Sequence, residues 1–242
     1  MRFEAEKRIM IPLDEAVIDY VVLGERTVEG NELLDLAVVA VPKDVVNDYL
    51  SVVLKAGLYP DVVEIESFSL QRVLPFICSQ FTDPAEEAQM LLDIGAESSN
   101  LIIFEQGTFC FARTLNFGVT RFCRQIAEQR QISLEEARPL LFSEDPFAVD
   151  GFQNLADEMV TQIRRSLQFY LYNVERKSKE IKTLFLCGGG VTIGRLPAFL
   201  GFELKVEPKI LNPFGFIQSS YRFIRKDLER EGHLLNISAG LA

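Results

Sequence analysis

The chain has 242 residues, 48% of them apolar and 19 of them Phe, enough to fill one large domain or two small ones. Its formal net charge of −10 argues against a general nucleic-acid binder, which gathers Lys and Arg against phosphates. No apolar run approaches the roughly 20 residues that cross a bilayer, and Met1-Arg2-Phe3-Glu4-Ala5-Glu6-Lys7 lacks a signal-peptide core, so a cytoplasmic protein without a membrane span is expected.

Val17–Leu23 and Leu33–Val41 read as two strands of a hairpin separated by a long turn over Gly24–Asn31. Asp44 can then cap a helix that runs to Ala56 and is closed by Gly57, with Val45, Tyr49, Val52, Val53 and Ala56 forming the apolar face that packs on the hairpin. Val62–Ile65 is a further short strand, and Ser67 opens a helix that Pro75 kinks or ends. The acidic stretch Asp83–Glu87 leads into a new unit.

That unit begins with Met90-Leu91-Leu92, breaks at Asp93-Ile94-Gly95 and resumes as Leu101-Ile102-Ile103-Phe104, a strand, a tight polar turn and a second strand. Thr108–Thr114 is the third strand. Gly118–Arg130 reads as a helix, and Ser133 with Glu136 has capping-box spacing for a short one that Pro139 interrupts. A long helix over Phe152–Lys177 carries Leu155, Met159, Ile163, Leu167, Tyr170, Leu171 and Val174 on its core side. Arg164, Arg165, Arg176, Lys177, Lys179 and Lys182 gather along and after it, either as a solvated face or as a contact for an acidic partner or lipid surface. Thr183–Cys187 is a buried strand that enters Gly188-Gly189-Gly190, with a helix near Ile193–Leu200.

Cys78, Cys110, Cys123 and Cys187 have no C-x-x-C spacing and read as reduced core thiols. The one histidine, His233, has no companion for a metal site or a nucleophile, which sets hydrolase triads aside.

Two motifs carry the chemistry. In Asp93-Ile94-Gly95-Ala96-Glu97-Ser98-Ser99-Asn100, glycine brings backbone N–H groups close to a bound group, the small side chains can donate to phosphate oxygens, and Asp93 stands where a hydrated cation could be held. Alone, this turn fits an ordinary hairpin as well as a phosphate loop. The second motif, a strand entering Gly188-Gly189-Gly190 before a helix, is where a sugar or flat ring can approach the main chain. Their order and separation together point to a nucleotide.

With these residues in view, the chain resembles the PilM family, the cytoplasmic actin-like proteins of type IV pilus assembly. The resemblance runs through Ile11-Pro12-Leu13-Asp14-Glu15-Ala16-Val17, Ala56-Gly57-Leu58, Val63-Glu64-Ile65-Glu66-Ser67-Phe68, Leu92-Asp93-Ile94-Gly95-Ala96, Gly188-Gly189-Gly190, Leu211-Asn212-Pro213-Phe214 and Ser238-Ala239-Gly240-Leu241-Ala242. It implies an α/β, actin-like (ribonuclease H-like) fold with an incomplete first major subdomain, since only eleven residues precede Pro12 where family members carry another phosphate hairpin. The implied organisation is a small subdomain at 1–57, a remnant of the first major subdomain at 58–87, and a second subdomain at 88–242 with a helical insertion at about 118–150 and a C-terminal return helix.

The resemblance also implies an ATP and Mg2+ site built from Asp93, Gly95, Ala96, Glu97, Ser98, Ser99, Asn100, Gly188, Gly189 and Gly190, with Asp93 holding the metal through water. Where the family carries Ala-Glu-x-x-Lys, this chain has Ala137-Arg138-Pro139-Leu140-Leu141, and the paired glycines expected near Phe117 are Gly118-Val119. A donor-only cation replaces a carboxylate, and a hydrocarbon replaces an ammonium. The expectation is a non-catalytic scaffold, with nucleotide binding weakened or lost, that docks the N-terminal tail of a PilN-like inner-membrane protein and stays peripheral to that membrane. The alternatives are an ATP-binding or ATP-hydrolysing actin-like protein and the actin-like cytoplasmic domain of a type II secretion component. Self-association is expected through a sheet edge left uncovered near Val62–Ile65.

Overall fold

The computed structural model describes residues 9, 11–28, 30–81, 88–105, 107–143, 145–173, 180–215 and 222–241. The chain divides into two compact units, 1–64 and 65–242, so the span 58–87 is shared between them.

In the first unit, β1 (Ala16–Val28) and β2 (Asn31–Pro42) pair antiparallel from Ala16↔Pro42 to Val28↔Asn31. The long turn expected over Gly24–Asn31 is instead ladder. Glu25, Arg26 and Thr27 continue the strand opposite Leu34, Leu33 and Glu32, because polar side chains on an open ladder still leave the backbone groups paired. A register shift between Val22 and Gly24 absorbs one extra residue, and Gly30 takes φ +83° beside the closing turn.

Helix α1 (Lys43–Lys55) follows, with Pro42 rather than Asp44 at the cap position and the Asp44 carboxylate accepting from Val45 N–H at 2.9 Å. Its end is a Schellman motif: Gly57, at φ +78°, donates to Leu54 O at 3.0 Å and Leu58 donates to Val53 O at 3.2 Å. Of the expected apolar face only Val53 turns inward. Val46, Leu50 and Val53 are half-buried, whereas Val45, Tyr49, Val52 and Ala56 are exposed, Tyr49 by 73%. Val46-Leu50-Val53 and Val45-Tyr49-Val52 have the same helical spacing, so periodicity cannot choose between them. Ala16 alone is fully buried among the residues described in this unit. Val62–Ile65, expected as a strand, is irregular and joins neither sheet; Val62 and Val63 are exposed, and Ile65 O accepts from Phe68 N–H at 3.0 Å.

The second unit is built on a five-stranded sheet of order β5-β4-β3-β6-β7. β3 (Ala88–Ile94), β4 (Ser99–Glu105) and β5 (Thr108–Leu115) form an antiparallel meander, and β6 (Ile181–Cys187) and β7 (Glu207–Ile210) add in parallel beyond β3. β3 is buried throughout, and β4 and β6 nearly so, as expected for central strands covered on both faces.

On one face lie α3 (Val119–Arg130), α4 (Leu134–Ser143), α5 (Phe152–Asn173) and α6 (Leu196–Leu204). Their apolar sides meet Met90, Leu92, Leu101, Leu184 and Leu186. A train of rings runs through this core, Phe117–Phe122 at 5.1 Å, Phe122–Phe152 at 4.7 Å, Phe147–Phe152 at 4.9 Å and Phe147–Phe199 at 5.2 Å. Such pairs contribute about 0.5–1.5 kcal/mol each beyond area burial. The register shift between Ile103 and Phe104 lets β5 turn Phe111 toward α5 and Phe109 to the opposite face, where Phe68 lies 5.5 Å away.

Phe68 belongs to α2 (Glu66–Phe81), which packs on α8 (Asn236–Leu241). The contact is backbone to backbone. A Cβ on Gly240 would lie 1.9 Å from Ser69 O, and Arg72 Nε donates to Gly240 O at 2.6 Å. α2 does not end at Pro75 but continues to Phe81, and α4 likewise runs past Pro139 to Ser143. In α4 the capping box between Ser133 and Glu136 forms, and Ala137 and Leu141 are buried. A proline costs a helix one internal hydrogen bond and a steric adjustment, and burial of this face outweighs that local preference.

α5 buries Met159, Ile163 and Tyr170 as expected, with Leu155 and Leu167 half-buried; Leu171 is exposed, and Val174 lies outside the described residues. The helix expected to follow the glycine triplet begins only at Leu196, after a 3-10 turn over Gly189–Thr192. α7 (Arg222–Glu231) precedes another 3-10 turn, Gly232–Leu234. Asn212 Nδ2 donates to Leu228 O and Glu229 O at the end of α7, and Asn236 Nδ2 donates to Leu211 O and His233 O.

Candidate functional site

The two glycine motifs meet because β3 and β6 are parallel neighbours with Asp93 opposite Cys187. Both strands therefore end at the same edge of the sheet. The turn after β3 spans Gly95–Ser98, so Asp93 and Ile94 are strand residues and not part of the turn. Gly95 N–H donates to Ser98 O at 3.0 Å and closes it.

After β6, Gly188 is left-handed at φ +82°, and a Cβ there would lie 2.4 Å from Asp93 Oδ1 and 2.6 Å from Ile94 O. At Gly190 it would lie 2.1 Å from Ile94 Cγ2. These glycines are needed for the loop to close against β3. Gly188 N–H donates to His233 O at 2.9 Å, which ties the loop to the turn Gly232–Leu234. His233 is buried, and burial holds its imidazole below the usual value.

Asp93 lies at the centre of this junction and is nearly buried. Loss of solvent, then the charge of Glu66, push its carboxyl up to about 6, while a hydrogen bond from Cys187 at 3.6 Å acts the other way. Burial and the same carboxylate raise the Cys187 thiol well above its usual 9.0. Glu66, from the first turn of α2, also accepts from Asn100 Nδ2 at 2.6 Å, and Asn100 Oδ1 accepts from Thr114 Oγ1 at 2.9 Å. Glu66 and Cys187 are members of the cluster that local sequence did not reveal, because each reaches Asp93 only through long-range packing.

The other site residues divide by partner. Ser99 Oγ is buried and donates to Phe117 O at 2.5 Å, and Asn100 is engaged as above. Gly95 O and Ala96 O accept from Val119 and Thr120 N–H at 3.0 and 2.9 Å, so the first turn of α3 is spent on the loop. That approach requires Gly118, where a Cβ would lie 2.3 Å from Ala96 O. Glu97 is exposed, 3.8 Å from Arg124. The N–H groups of Ala96, Glu97 and Ser98 and the Ser98 hydroxyl stay unengaged among the described residues, a small set of donors suited to an oxyanion. No group of three or more His, Cys, Asp or Glu among the described residues could hold a metal directly.

Arg138 is exposed on α4, whereas Leu141 is 0% exposed and part of the core. At the position where the resemblance places a lysine toward nucleotide, this chain uses its side chain to hold α4 in the fold.

A family model described as type IV pilus assembly protein PilM matches residues 1–242. The chain belongs to the PilM family. A solved structure described as the PilM-PilN type IV pilus biogenesis complex is 25% identical and superposes with a TM-score of 0.85, covering 99% of this chain and 69% of that one. Ethanolamine utilization protein EutJ from Carboxydothermus hydrogenoformans is 16% identical with a TM-score of 0.55, over 78% of this chain and 57% of that one. MreB 5 of Spiroplasma citri, solved bound to AMPPNP, is 14% identical with a TM-score of 0.55, over 83% of this chain and 64% of that one. The last two likenesses establish the shared fold, which is actin-like with a mixed, ribonuclease H-like sheet. Among the described residues no helix is long and apolar enough to cross a membrane.

Proposed function

We propose that this chain is a non-catalytic docking scaffold of type IV pilus assembly. In this reading it receives the cytoplasmic N-terminal tail of a PilN-like inner-membrane protein and is peripheral to that membrane through the partner. The observation that carries the reading is the match over 99% of the chain to a protein solved as a PilM-PilN complex. The hairpin-bearing unit supports it. Its exposed Val45, Tyr49 and Val52 form one helix stripe, the surface an apolar peptide segment would cover.

Nucleotide binding is proposed to be weakened. Ser99, Asn100 and the first N–H groups of α3 are engaged within the fold, Asp93 is buried, and Leu141 belongs to the core. Asp93 could reach a hydrated Mg2+ only through water, and ATP would rely on Ala96, Glu97, Ser98 and the Gly188–Gly190 backbone.

The test is titration of the whole chain with a synthetic peptide of the N-terminal segment of the PilN protein from the same source. Micromolar binding, reduced in a chain carrying Tyr49→Gln and Val52→Gln, is expected. No binding at millimolar peptide would overturn the docking role.

A further inference from the structure

Away from the glycine loops, β5 and α5 flank an open groove of about 420 Å3 whose lining includes Arg113, Asn116, Glu158, Thr161, Gln162 and Arg165, all but Gln162 exposed. Arg113 pairs with Leu101 in the β4–β5 ladder, which sets its side chain on the α5 side of the sheet. On α5 the positions 158, 161, 162 and 165 share one helix face.

Arg113, Arg165 and the amides of Asn116 and Gln162 have no side-chain hydrogen bond or ion pair among the described residues. Glu158 is already matched, bonded to Arg121 at 2.7 Å, and that guanidinium lies 4.7 Å above the Phe117 ring. Two guanidiniums thus line the groove while its one carboxylate is held by Arg121, on a chain whose net charge is −10.

Small-molecule pockets are mostly apolar with a few polar groups, whereas this one is rich in donors and cationic, the lining that an oxyanion requires. The planar fork of Arg matches a carboxylate. The groove also lies at the sheet edge, where β5 has only β4 as a strand neighbour among the described residues, so an extended chain has access along it.

We propose that the β5–α5 cleft docks an acidic segment of a partner protein, whose carboxylates are held by Arg113 and Arg165. The probe is a rhodamine-labelled hexaglutamate peptide titrated into the whole chain at low salt and followed by anisotropy. Saturable binding is expected, weakened at least about tenfold by Arg113→Gln with Arg165→Gln and untouched by Arg230→Gln, a surface arginine already paired with Asp227 and Glu231. Both proteins should keep the parent circular dichroism, since Arg113 and Arg165 are exposed. Absence of peptide binding overturns the proposal, as does an equal loss in the Arg230 variant. A site that takes pyrophosphate and refuses hexaglutamate is one for small phosphates, which overturns it as well.

Discussion

Asp93 holds its proton to about pH 6 in the fold against a usual 3.8, because ionising it means placing a charge out of water beside Glu66. Between those two values the native state carries a proton that the unfolded chain has released, so stability falls as pH rises through the window. The loss at neutral pH is on the order of 3 kcal/mol. Asp93→Asn should therefore be more stable than the parent at pH 7, with the gap closing as pH falls below the window. Urea unfolding at several pH values reads this directly, and parallel stability curves for the two proteins would show that Asp93 is not desolvated. Leu141 gives the opposite case. Leu141→Lys would restore the residue type of the resemblance, yet it places an ammonium at a position 0% exposed. The expected outcome is destabilisation by ~3 kcal/mol or more. A change below about 1 kcal/mol would mean that the lysine reaches solvent, and with it the side of α4 that the resemblance turns toward nucleotide.

At the scale of elements, α1 separates packing from presentation. Leu50 and Val53 are half-buried, so Leu50→Ala or Val53→Ala should cost about 1 kcal/mol in the hairpin unit, read as faster amide exchange along β1 and β2. Tyr49→Gln and Val52→Gln should stay within about 0.5 kcal/mol of the parent, since both side chains are exposed and Gln is a good helix former. A large loss from the exposed pair would instead make that stripe part of the packing. The same contrast marks what could be read in advance. β3, β4 and β6 were legible because buried apolar runs have few other uses, and α4 because the capping box is local. The inward face of α1 was not, since two stripes of equal spacing compete. Val62–Ile65 has the composition of a strand but joins neither sheet, α2 runs past Pro75, and Pro139 was overruled by packing of the α4 face that no local rule contains. The meeting of Asp93 with the glycine loop followed once both strands were placed, whereas the partners of Ser99 and Asn100, namely Phe117, Glu66 and Thr114, come from other elements.

For the whole molecule the open question is whether an actin-like sheet of this family still works as a nucleotide machine. The sheet itself is kept, as are the glycines that close the two loops upon each other, but closure alone is a structural need. Gly188 and Gly190 would be required by their contacts with Asp93 and Ile94 even if no ligand ever entered. What distinguishes a working site is spare donors and an accessible carboxylate. Here the spare donors among the described residues of the first loop come to three N–H groups and one hydroxyl, and Asp93 is buried. Charge-assisted hydrogen bonds contribute about 1.5–3 kcal/mol each, so on the proposed reading, in which ATP relies on backbone and hydroxyl donors, Mg-ATP should bind no more tightly than about millimolar, near −4 kcal/mol. Calorimetric titration of the whole chain should accordingly give no resolvable heat at micromolar nucleotide, and phosphate release should match the protein-free rate. A micromolar isotherm that disappears in Ser98→Ala and Gly189→Val variants would reverse the conclusion. Gly189 is the position for that test because a Cβ there meets only Leu234 Cδ2 at 3.8 Å, so the added side chain would obstruct a ligand before it disturbed the fold.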